Sequence, residues 1–275
     1  MEPIVALTIA GSDSGGGAGI QADLRTFAAF EVHGTCAITA VTAQNTLGVS
    51  DVLALDPELV AAQVCAVVGD FGVKAVKTGM LALPSTVERV AELAREGLLP
   101  HLVVDPVLVS STGHALMDVG GARAYRESLF PYATVVTPNL REACVLCDVD
   151  VHDVATHDDM VALATTLLGF GPAYVLVKGG HFAESTLTQR RAPDILVGGA
   201  DGAVLIYDAP RVQTMNDHGT GCSLSAAICA GIGLGRSLPD ATRDAKSFVL
   251  AALISGASWR LGAGHGPIDH LGWNG

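Results

Sequence analysis

The sequence predicts an α/β protein with three layers, in which helices cover both faces of a mostly parallel central sheet. Short apolar runs alternate with amphipathic helical stretches, a pattern typical of parallel strands that are buried on both faces. The joins between them are short, which favours right-handed strand–helix–strand units. Because no linker, repeat or low-complexity tract interrupts the 275 residues, we expect one domain over 1–275.

Six apolar runs are predicted to form the parallel strands. The first lacks the basic segment and the cleavage signal of a secretory leader, so we expect a strand there. The last ends in Lys178, a charged residue that closes an otherwise apolar pattern. The six runs cover 4–10, 36–42, 73–78, 101–105, 133–137 and 173–178.

Amphipathic stretches between these strands predict the helices. Asp56-Pro57 is a favourable helix opening and Gly97 is a favourable stop. Another helix opens at Ile20, after a glycine-rich turn. The other predicted helices cover 56–71, 85–96, 121–129, 140–147, 158–170 and roughly 219–234 and 238–262.

The pattern changes after Asp194. Three short strands, 195–197, 203–207 and 211–213, are separated by glycine-rich turns. We expect them to form a small antiparallel edge of the sheet.

The charge balance excludes two classes of partner. The net charge is −12, and the chain has only four lysines, Lys74, Lys77, Lys178 and Lys246. Proteins that bind nucleic acid or anionic membranes usually carry a basic patch, so neither partner is expected. No apolar run approaches the ~20 residues of a membrane span. Lys74 and Lys77 are expected to be ordinary surface charges.

Six cysteines are scattered through apolar helix and strand patterns, which is typical of reduced, buried cysteine in a cytoplasmic protein. Cys144 and Cys147 form a lone pair at C-x-x-C spacing. Without a second pair, core packing is favoured over a metal or redox site.

Polar residues interrupt the apolar pattern where the predicted strands end. In an open α/β sheet, ligands bind at the carboxyl ends of the parallel strands. The shared position of these residues therefore predicts an active site at that edge. They are Ser12, Asp13, Gln44, Asn45, Thr78, Gly79, Asp105, Asn139 and Lys178.

Gly219, Thr220, Gly221 and Cys222 precede a helix of small and apolar residues. The unpaired N–H groups and the dipole of a helix N-terminus attract anions, and two glycines let a phosphate approach the backbone. In that field we expect a depressed pKa for the Cys222 thiol, which would suit it as a base. A glycine-rich helix start with a small buried cysteine is the alternative explanation.

A second glycine-rich segment, 11–19, follows the first strand. The chain has no Gly-Lys-Ser/Thr, which excludes a Walker A loop, and the glycines do not match the dinucleotide-binding spacing. A turn that lets a flat substrate lie against the backbone fits better. Asp23 would then offer a carboxylate to an exocyclic amine, or would be a solvated helix residue.

Acidic and basic residues at neighbouring strand ends suggest a nucleotide site. Asp105 and Glu142 could hold Mg²⁺ beside the phosphates of a nucleotide. Alternatively, Asn139 is a helix N-cap that forms a capping box with Glu142. Lys178 needs an anionic partner, because an unpaired charge at the end of a buried strand is costly.

Taken in order, these motifs resemble the hydroxymethylpyrimidine/phosphomethylpyrimidine kinases, a family of the ribokinase-like superfamily. The resemblance covers nearly the whole chain. The matching segments are 10–13, 16–23, 42–46, 77–80, 104–107, 137–142, 177–181 and 218–222.

The resemblance implies a ribokinase-like, homodimeric kinase that uses ATP and Mg²⁺. Its substrates would be 4-amino-5-hydroxymethyl-2-methylpyrimidine and then the monophosphate, in thiamine biosynthesis. Motif positions also imply individual roles. The substrate would be contacted by Gln44, Asp23, Gly11, Met80 and Val107, and the nucleotide phosphates by Asn139, Lys178 and Lys246. The Mg²⁺ would be held by Asp105 and Glu142. The anion hole with its base would be formed by Gly219, Thr220, Gly221 and Cys222.

Two departures from the family pattern leave alternatives open. Asp217 stands where the family usually has threonine, so either Asp217 or Cys222 is the candidate base. The loop 108–114 differs from the usual flap, which bears on the fit of the phosphorylated substrate. A pyridoxal kinase of the same superfamily is the alternative enzyme, and a non-catalytic nucleotide sensor is the alternative from another class.

Overall fold

A computed structural model describes residues 2–108, 117, 120–180 and 191–273 and has the predicted fold class. Its described strands form one nine-stranded sheet. They are β1 Val5–Asp13, β2 His33–Asn45, β3 Gly48–Ala54, β4 Val73–Thr78, β5 Leu102–Val104, β6 Val135–Val136, β7 Tyr174–Lys178, β8 Asp194–Gly198 and β9 Ala203–Tyr207. The α-helices are α1 Gly19–Ala29, α2 Pro57–Asp70, α3 Pro84–Arg95, α4 Gly121–Ala124, α5 Leu140–Cys147, α6 His157–Leu168, α7 Thr220–Gly233 and α8 Leu238–Gly256.

The sheet is parallel at its centre and antiparallel at both edges. Its strand order is β3-β2-β1-β4-β5-β6-β7-β8-β9. Neighbours from β2 to β7 pair in parallel, whereas β3 pairs antiparallel with β2, and β8 and β9 continue antiparallel beyond β7. The carboxyl ends of the central strands therefore meet at one edge, where ligands bind in such folds.

The prediction of the parallel strands is confirmed, but one edge strand was missed and one predicted edge strand is wrong. β3 was not expected, because most of its side chains are exposed and its residues make no apolar run. Residues 211–213 do not form a third strand of the antiparallel edge. The chain makes one bridge at Pro210 to Arg191 and then leaves the sheet, since proline has no N–H with which to extend a ladder.

Most helices lie close to their predicted positions. α5 has the predicted bounds, and α2 and α3 begin at the prolines that follow Asp56 and Leu83. The predicted helix 121–129 is α-helical only to Ala124 and continues as a π-helix over Tyr125–Leu129. α8 ends at Gly256, earlier than expected.

Two apolar cores, one on each face of the sheet, hold the helices. On one face, Val64 of α2 and Leu163 of α6 belong to the larger core. On the other face, Phe27 of α1 and Ile228 of α7 pack against the sheet. Fully burying such a side chain stabilises the fold by about 1.5–3 kcal/mol. Since α7 is buried continuously from its second turn onward, its N-terminus is fixed at the carboxyl edge of the sheet.

None of the described helices is long and apolar enough to cross a membrane.

Candidate active site

The two glycine-rich segments, far apart in the sequence, pack against each other at the carboxyl edge. Gly219 has a φ of +83°, and a Cβ there would lie 1.9 Å from the carbonyl oxygen of Gly17. A Cβ on Gly17 would in turn lie 2.4 Å from the ring of His218. Glycine is therefore required at both contacts, the first for its conformation and both for the close approach.

The buried carboxylate of Asp13 organises the first glycine-rich segment. It accepts hydrogen bonds from the backbone N–H groups of Gly15, Gly17 and Ala18 at 2.8–3.0 Å. Its Oδ2 atom also lies 3.0 Å from Nε2 of His218. One side chain thus joins the segment after β1 to the segment that precedes α7.

The first turn of α7 has the features of an anion hole. Gly219 precedes it without a side-chain cap. The N–H of Thr220 donates to the carbonyl of Asp217 at 3.4 Å, and the next N–H groups of the turn point to where an anion could bind. A Cβ on Gly221 would lie 3.2 Å from Nζ of Lys178, which places that ammonium group beside the turn. The structure therefore brings together Gly219, Thr220, Gly221 and Lys178, as predicted from the sequence.

Lys178 has the anionic partner that its position required. Its Nζ lies 2.8 Å from Oδ1 of Asp105. Burial by itself would lower the pKa of Lys178, but the carboxylates of Asp105 and Glu142 raise it above its ordinary value. Burial raises the pKa of Glu142 to about 7, an effect that Lys178 opposes and Asp105 increases. The two predicted metal ligands and the lysine thus influence one another's charge.

Asn139 begins α5 as the predicted N-cap. Its side chain accepts from the N–H of Glu142, and the carboxyl group of Glu142 accepts from the N–H of Asn139, at 2.9 and 2.8 Å. The capping box explains the local role of both residues. It also aligns this corner with the end of β7, because Asn139 pairs with Lys178 in a parallel bridge.

Asp23 is fully buried and paired with a lysine, whereas the sequence predicted that it contacts the substrate. Its side chain is 0% exposed and lies 2.8 and 3.0 Å from Nζ of Lys77, with a further bond of 2.6 Å from the hydroxyl of Thr8. Lys77, expected at the surface, is also 0% exposed, whereas Lys74 is exposed as predicted. Burial alone would lower the pKa of Lys77, but the Asp23 carboxylate raises it well above its ordinary value.

The thiol of Cys222 has a raised pKa, contrary to the expected depression. Burial raises the pKa of Cys222 to about 11; Lys77 opposes the rise, and Asp23 and Asp105 add to it. Desolvation is thus the largest cause of the raised pKa of the thiol, and the two nearby carboxylates add to it. In the unliganded protein the thiol is protonated at neutral pH.

Asp217, the alternative base, has a partner on the C-terminal segment. Its Oδ1 lies 2.7 Å from Nδ1 of His265, and the two side chains are 45% and 46% exposed. An exposed carboxylate bonded to a histidine is a weaker candidate for a base than the thiol of Cys222 in the first turn of α7.

Two of the predicted substrate contacts, Gly11 and Met80, touch each other, and Gln44 contacts His218 in the segment before α7. A Cβ on Gly11 would lie 2.4 Å from Cε of Met80, so these two residues touch. Gln44 and Val107 are partly exposed, and Gln44 Nε2 lies 3.2 Å from His218 Nε2. The flap residues 109–114 and His181 lie outside the described residues.

Lys246, the second predicted phosphate contact, is held by the antiparallel edge. Its Nζ lies 2.6 Å from Oδ2 of Asp194 and donates to the carbonyl of Ala192 at 2.7 Å. Asp194 also accepts from the N–H of Gly179, the residue after Lys178. Lys246 is therefore placed near the end of β7 through a shared carboxylate.

Sequence reasoning missed the part played by the C-terminal segment. Thr46, just after β2, accepts hydrogen bonds from Gly264 and His265. Gly266 accepts from the N–H of His218, and the ring of His270 lies 2.8 Å from the hydroxyl of Ser223 in α7. The glycines at 262, 264 and 266 were the available signal, since a Cβ at each would collide with Thr46 or Asn216.

Comparison with known proteins identifies the family of this chain. The family model described as phosphomethylpyrimidine kinase matches residues 13–269. The chain is 46% identical to the hydroxymethylpyrimidine/phosphomethylpyrimidine kinase of Mycobacterium leprae, over 98% of this chain and 94% of that protein. It is 47% identical to the protein of the same name from Streptomyces coelicolor, over 98% and 95% of the two chains.

Solved structures give the same fold. An ADP complex of Bacillus subtilis pyridoxal kinase has a TM-score of 0.85 and 36% identity, over 98% of each chain. Pyridoxal kinase from Staphylococcus aureus, in complex with AMP-PCP and pyridoxal, has a TM-score of 0.86 and 33% identity, over 100% and 96%. Phosphomethylpyrimidine kinase from Clostridium difficile 630 has a TM-score of 0.78 and 37% identity, over 91% and 99%. Sheet order, the glycine-rich first turn of α7 and sequence likeness converge, and the chain belongs to the phosphomethylpyrimidine kinase family.

Proposed function

We propose that this chain, acting as one kinase domain over 1–275, uses ATP to phosphorylate 4-amino-5-hydroxymethyl-2-methylpyrimidine and then its monophosphate, in thiamine biosynthesis. The position of Lys178 carries the proposal. Its ammonium group lies both 2.8 Å from Asp105 and beside the first turn of α7. Phosphoryl transfer needs cationic and N–H groups around the oxygens on which charge develops.

The proposed nucleotide site lies between α7 and the corner that begins α5. The N–H groups from Gly219 to Gly221 would cradle the transferring phosphoryl group, and Lys178 would exchange part of its bond with Asp105 for a phosphate oxygen. Asn139 and Lys246 would make further phosphate contacts. An ammonium group has three N–H donors, so Lys246 keeps one for a phosphate while bound to Asp194 and Ala192.

We include a Mg²⁺ site at Asp105 and Glu142 in this proposal. Their carboxylate oxygens suit a hard cation. Burial is the main cause of the raised pKa of Glu142 and the Asp105 carboxylate adds to it, so a further positive charge here would be favoured. No cluster of three potential ligand residues occurs in the described parts of the chain, so water and phosphate oxygens would complete the coordination. When bound, Mg²⁺ would neutralise charge on the phosphates.

Cys222 is the proposed base for the first transfer. It is inside the anion hole, whereas Asp217 is about half exposed and bonded to His265. With a pKa raised to about 11, the thiol is not ionised beforehand, so proton transfer would accompany attack by the substrate hydroxyl. In the second transfer the acceptor phosphate is already largely ionised at neutral pH and scarcely needs a base.

A coupled assay of ADP release tests the substrate assignment. Hydroxymethylpyrimidine, its monophosphate and pyridoxal are compared side by side, and we expect the highest kcat/KM for hydroxymethylpyrimidine. Pyridoxal is the second candidate because structures of pyridoxal kinases have TM-scores of 0.85 and 0.86 with this chain. A higher kcat/KM for pyridoxal would reassign the alcohol substrate, and ATP binding without any product would favour a nucleotide sensor.

A cytoplasmic homodimer is also part of the proposal. The hairpin of β2 and β3 leaves Val41, Leu47 and Leu53 47–67% exposed, and a symmetric interface would cover them. All six cysteines are unpaired, which suits a reducing compartment. Light scattering tests the assembly, since the mass of a single 28.1 kDa chain would contradict a dimer.

A further inference from the structure

Three polar side chains from distant parts of the chain meet beside the first turn of α7. The Nε2 atom of His218 lies 3.0 Å from Oδ2 of Asp13 and 3.2 Å from the amide nitrogen position of Gln44. The side chains of Asp13 and His218 are only 3% and 12% exposed, so water competes little for these bonds. One ring nitrogen therefore contacts two partners. If it carries a proton, the atom that faces it in each partner must be a hydrogen-bond acceptor.

Asp13 requires a proton on this nitrogen. Burial acts to raise the pKa of Asp13, but hydrogen bonds from His218, Ala18 and Gly15 outweigh it and hold the pKa below its usual value. The carboxylate is thus ionised at neutral pH, and an ionised carboxylate only accepts hydrogen bonds. His218 must donate from Nε2 to Asp13, whatever the state of its other ring nitrogen.

The same proton requires an acceptor on Gln44. The amide oxygen and nitrogen positions of Gln44 lie at the same distance, 3.2 Å, from Thr42 Oγ1 and from His218 Nε2. Half a turn about the last bond of the side chain exchanges the two atoms, and only the hydrogen bonds distinguish the two orientations. With nitrogen toward His218, two N–H donors would face each other.

Thr42 favours the same orientation independently. Its hydroxyl carries one proton, which is donated to the carbonyl of Ser12 at 2.8 Å. Its oxygen can then accept an N–H from Gln44 but cannot donate to the amide oxygen as well. With the amide oxygen toward His218 and the nitrogen toward Thr42, every group in this cluster has a compatible partner.

We infer that His218 is a positioning residue that, held by Asp13, fixes the orientation of the Gln44 amide and thereby selects the ligand group that Gln44 can bind. One N–H of that amide bonds to Thr42, and the other has no partner within the described parts of the chain. The complement of an N–H donor is a lone pair, such as a ring nitrogen of an aminopyrimidine. This inference rests on the proposed function, because it concerns recognition of the same substrate.

A double-mutant cycle between His218→Ala and Gln44→Ala tests the inference. Hydroxymethylpyrimidine is the ligand, and its Kd is measured by calorimetry alongside kcat and KM. We expect each single variant to weaken binding by about tenfold, and the double variant to bind no more weakly than Gln44→Ala alone. The KM for ATP should stay within about twofold in all three. A further tenfold loss in the double variant would overturn the inference, since His218 would then act without Gln44.

A donor at the position of Nε2 provides a second test, which decides the matter if His218→Ala does not fold. His218→Gln can supply that N–H and should bind hydroxymethylpyrimidine within about threefold of the wild type, whereas His218→Leu should lose about tenfold. Equal losses in these two variants would mean that the ring acts only by packing, and would overturn the inference. The exposed His152 gives a matched control, His152→Ala. Failure of the proposed function is distinguishable, because the wild-type chain itself would then not turn over hydroxymethylpyrimidine.

Discussion

Two lysine–aspartate pairs of the same length lie on neighbouring parts of the sheet and differ in burial. In the sealed pair, Asp23 with Lys77, both side chains are 0% exposed. In the open pair, Asp105 with Lys178, they are 2% and 11% exposed, at the same N–O distance of 2.8 Å. The pairs therefore use the same chemistry in two settings, and only one has a face that a ligand can reach.

Position along the strand accounts for the difference. Lys77 is followed by one more residue of β4, and its ammonium group contacts both carboxylate oxygens of Asp23 in α1. It lies so close to Gly79 that a side chain at that position would collide with it. Lys178 is the last residue of β7 and lies beside the glycine of the α7 first turn. A strand-end pair can thus join a phosphate site only where part of the ammonium group is left uncovered.

Breaking the open pair should have the largest effect on activity. In Lys178→Met the anion hole loses its cation, and we expect kcat to fall by about 10³-fold, since one preorganised donor is typically worth 10²–10³. The free energy of unfolding should fall less than in Lys77→Met, because this site borders solvent. Steady-state kinetics and urea denaturation measure the two effects. An unchanged kcat in Lys178→Met would show that Lys178 takes no part in phosphoryl transfer.

Breaking the sealed pair should instead affect stability. Lys77→Met leaves the Asp23 carboxylate buried without its cation, and we expect the free energy of unfolding to fall by about 3–5 kcal/mol. The double variant Lys77→Met/Asp23→Leu should recover most of that loss, because no charge then remains buried. Lys74→Met, on the exposed part of the same strand, is the control and should stay within about 0.5 kcal/mol. If the free energy of unfolding of Lys77→Met were unchanged, Lys77 and Asp23 could not be the buried ion pair assigned here.

The sealed pair also shows how far the sequence could predict this site. The open pair was predictable because Lys178 closes an apolar run and Asp105 ends another, and strand ends meet at one edge. Lys77 carried no such signal, since Lys74 and Lys77 look alike within β4 and the partner of Lys77 lies 54 positions earlier. Asp23 was assigned to the substrate for the same reason: a helical carboxylate does not reveal which side chain faces it.

Sequence reasoning gave the wrong direction for the pKa of Cys222 and missed the strand β3, for related reasons. The sequence gives the helix N-terminus that would depress the pKa of the thiol, but it does not give the burial or the carboxylates that raise it. β3 makes no apolar run because it is an exposed edge strand, so its pairing with β2 follows from the tertiary structure alone. Patterns local in sequence were predicted well, and effects that join distant segments were not.

Cys222 lies in the field of both pairs, and removing its thiol should have an intermediate effect. In Cys222→Ala we expect kcat for hydroxymethylpyrimidine to fall by about 10²-fold, the lower end for loss of a general base. Transfer to the monophosphate should fall by less than about threefold, because that acceptor is already largely ionised. Asp217→Asn is the companion variant. Equal losses in both transfers would leave Cys222 a structural role, and a larger loss in Asp217→Asn would move the base to Asp217.

The smallest predicted effect concerns the charge of the Cys222 thiol before any ligand binds. A pKa raised to about 11 keeps the thiol protonated at neutral pH, and only the thiolate is alkylated. The rate of iodoacetamide labelling at Cys222, followed by mass spectrometry of its peptide, should therefore keep rising with pH beyond about pH 9, the ordinary range of a thiol.

Asp105→Asn links this labelling to the open pair. The Asp105 carboxylate raises the pKa of the thiol, so its removal should lower that pKa and speed labelling at a fixed pH by about two- to threefold. Labelling at the exposed Cys65 provides an internal control that should not change. A rate that levels off near neutral pH would mean that the helix N-terminus governs the thiol after all. Neither pair would then control the charge state of Cys222, and the base of the first transfer would be ionised before the substrate arrives.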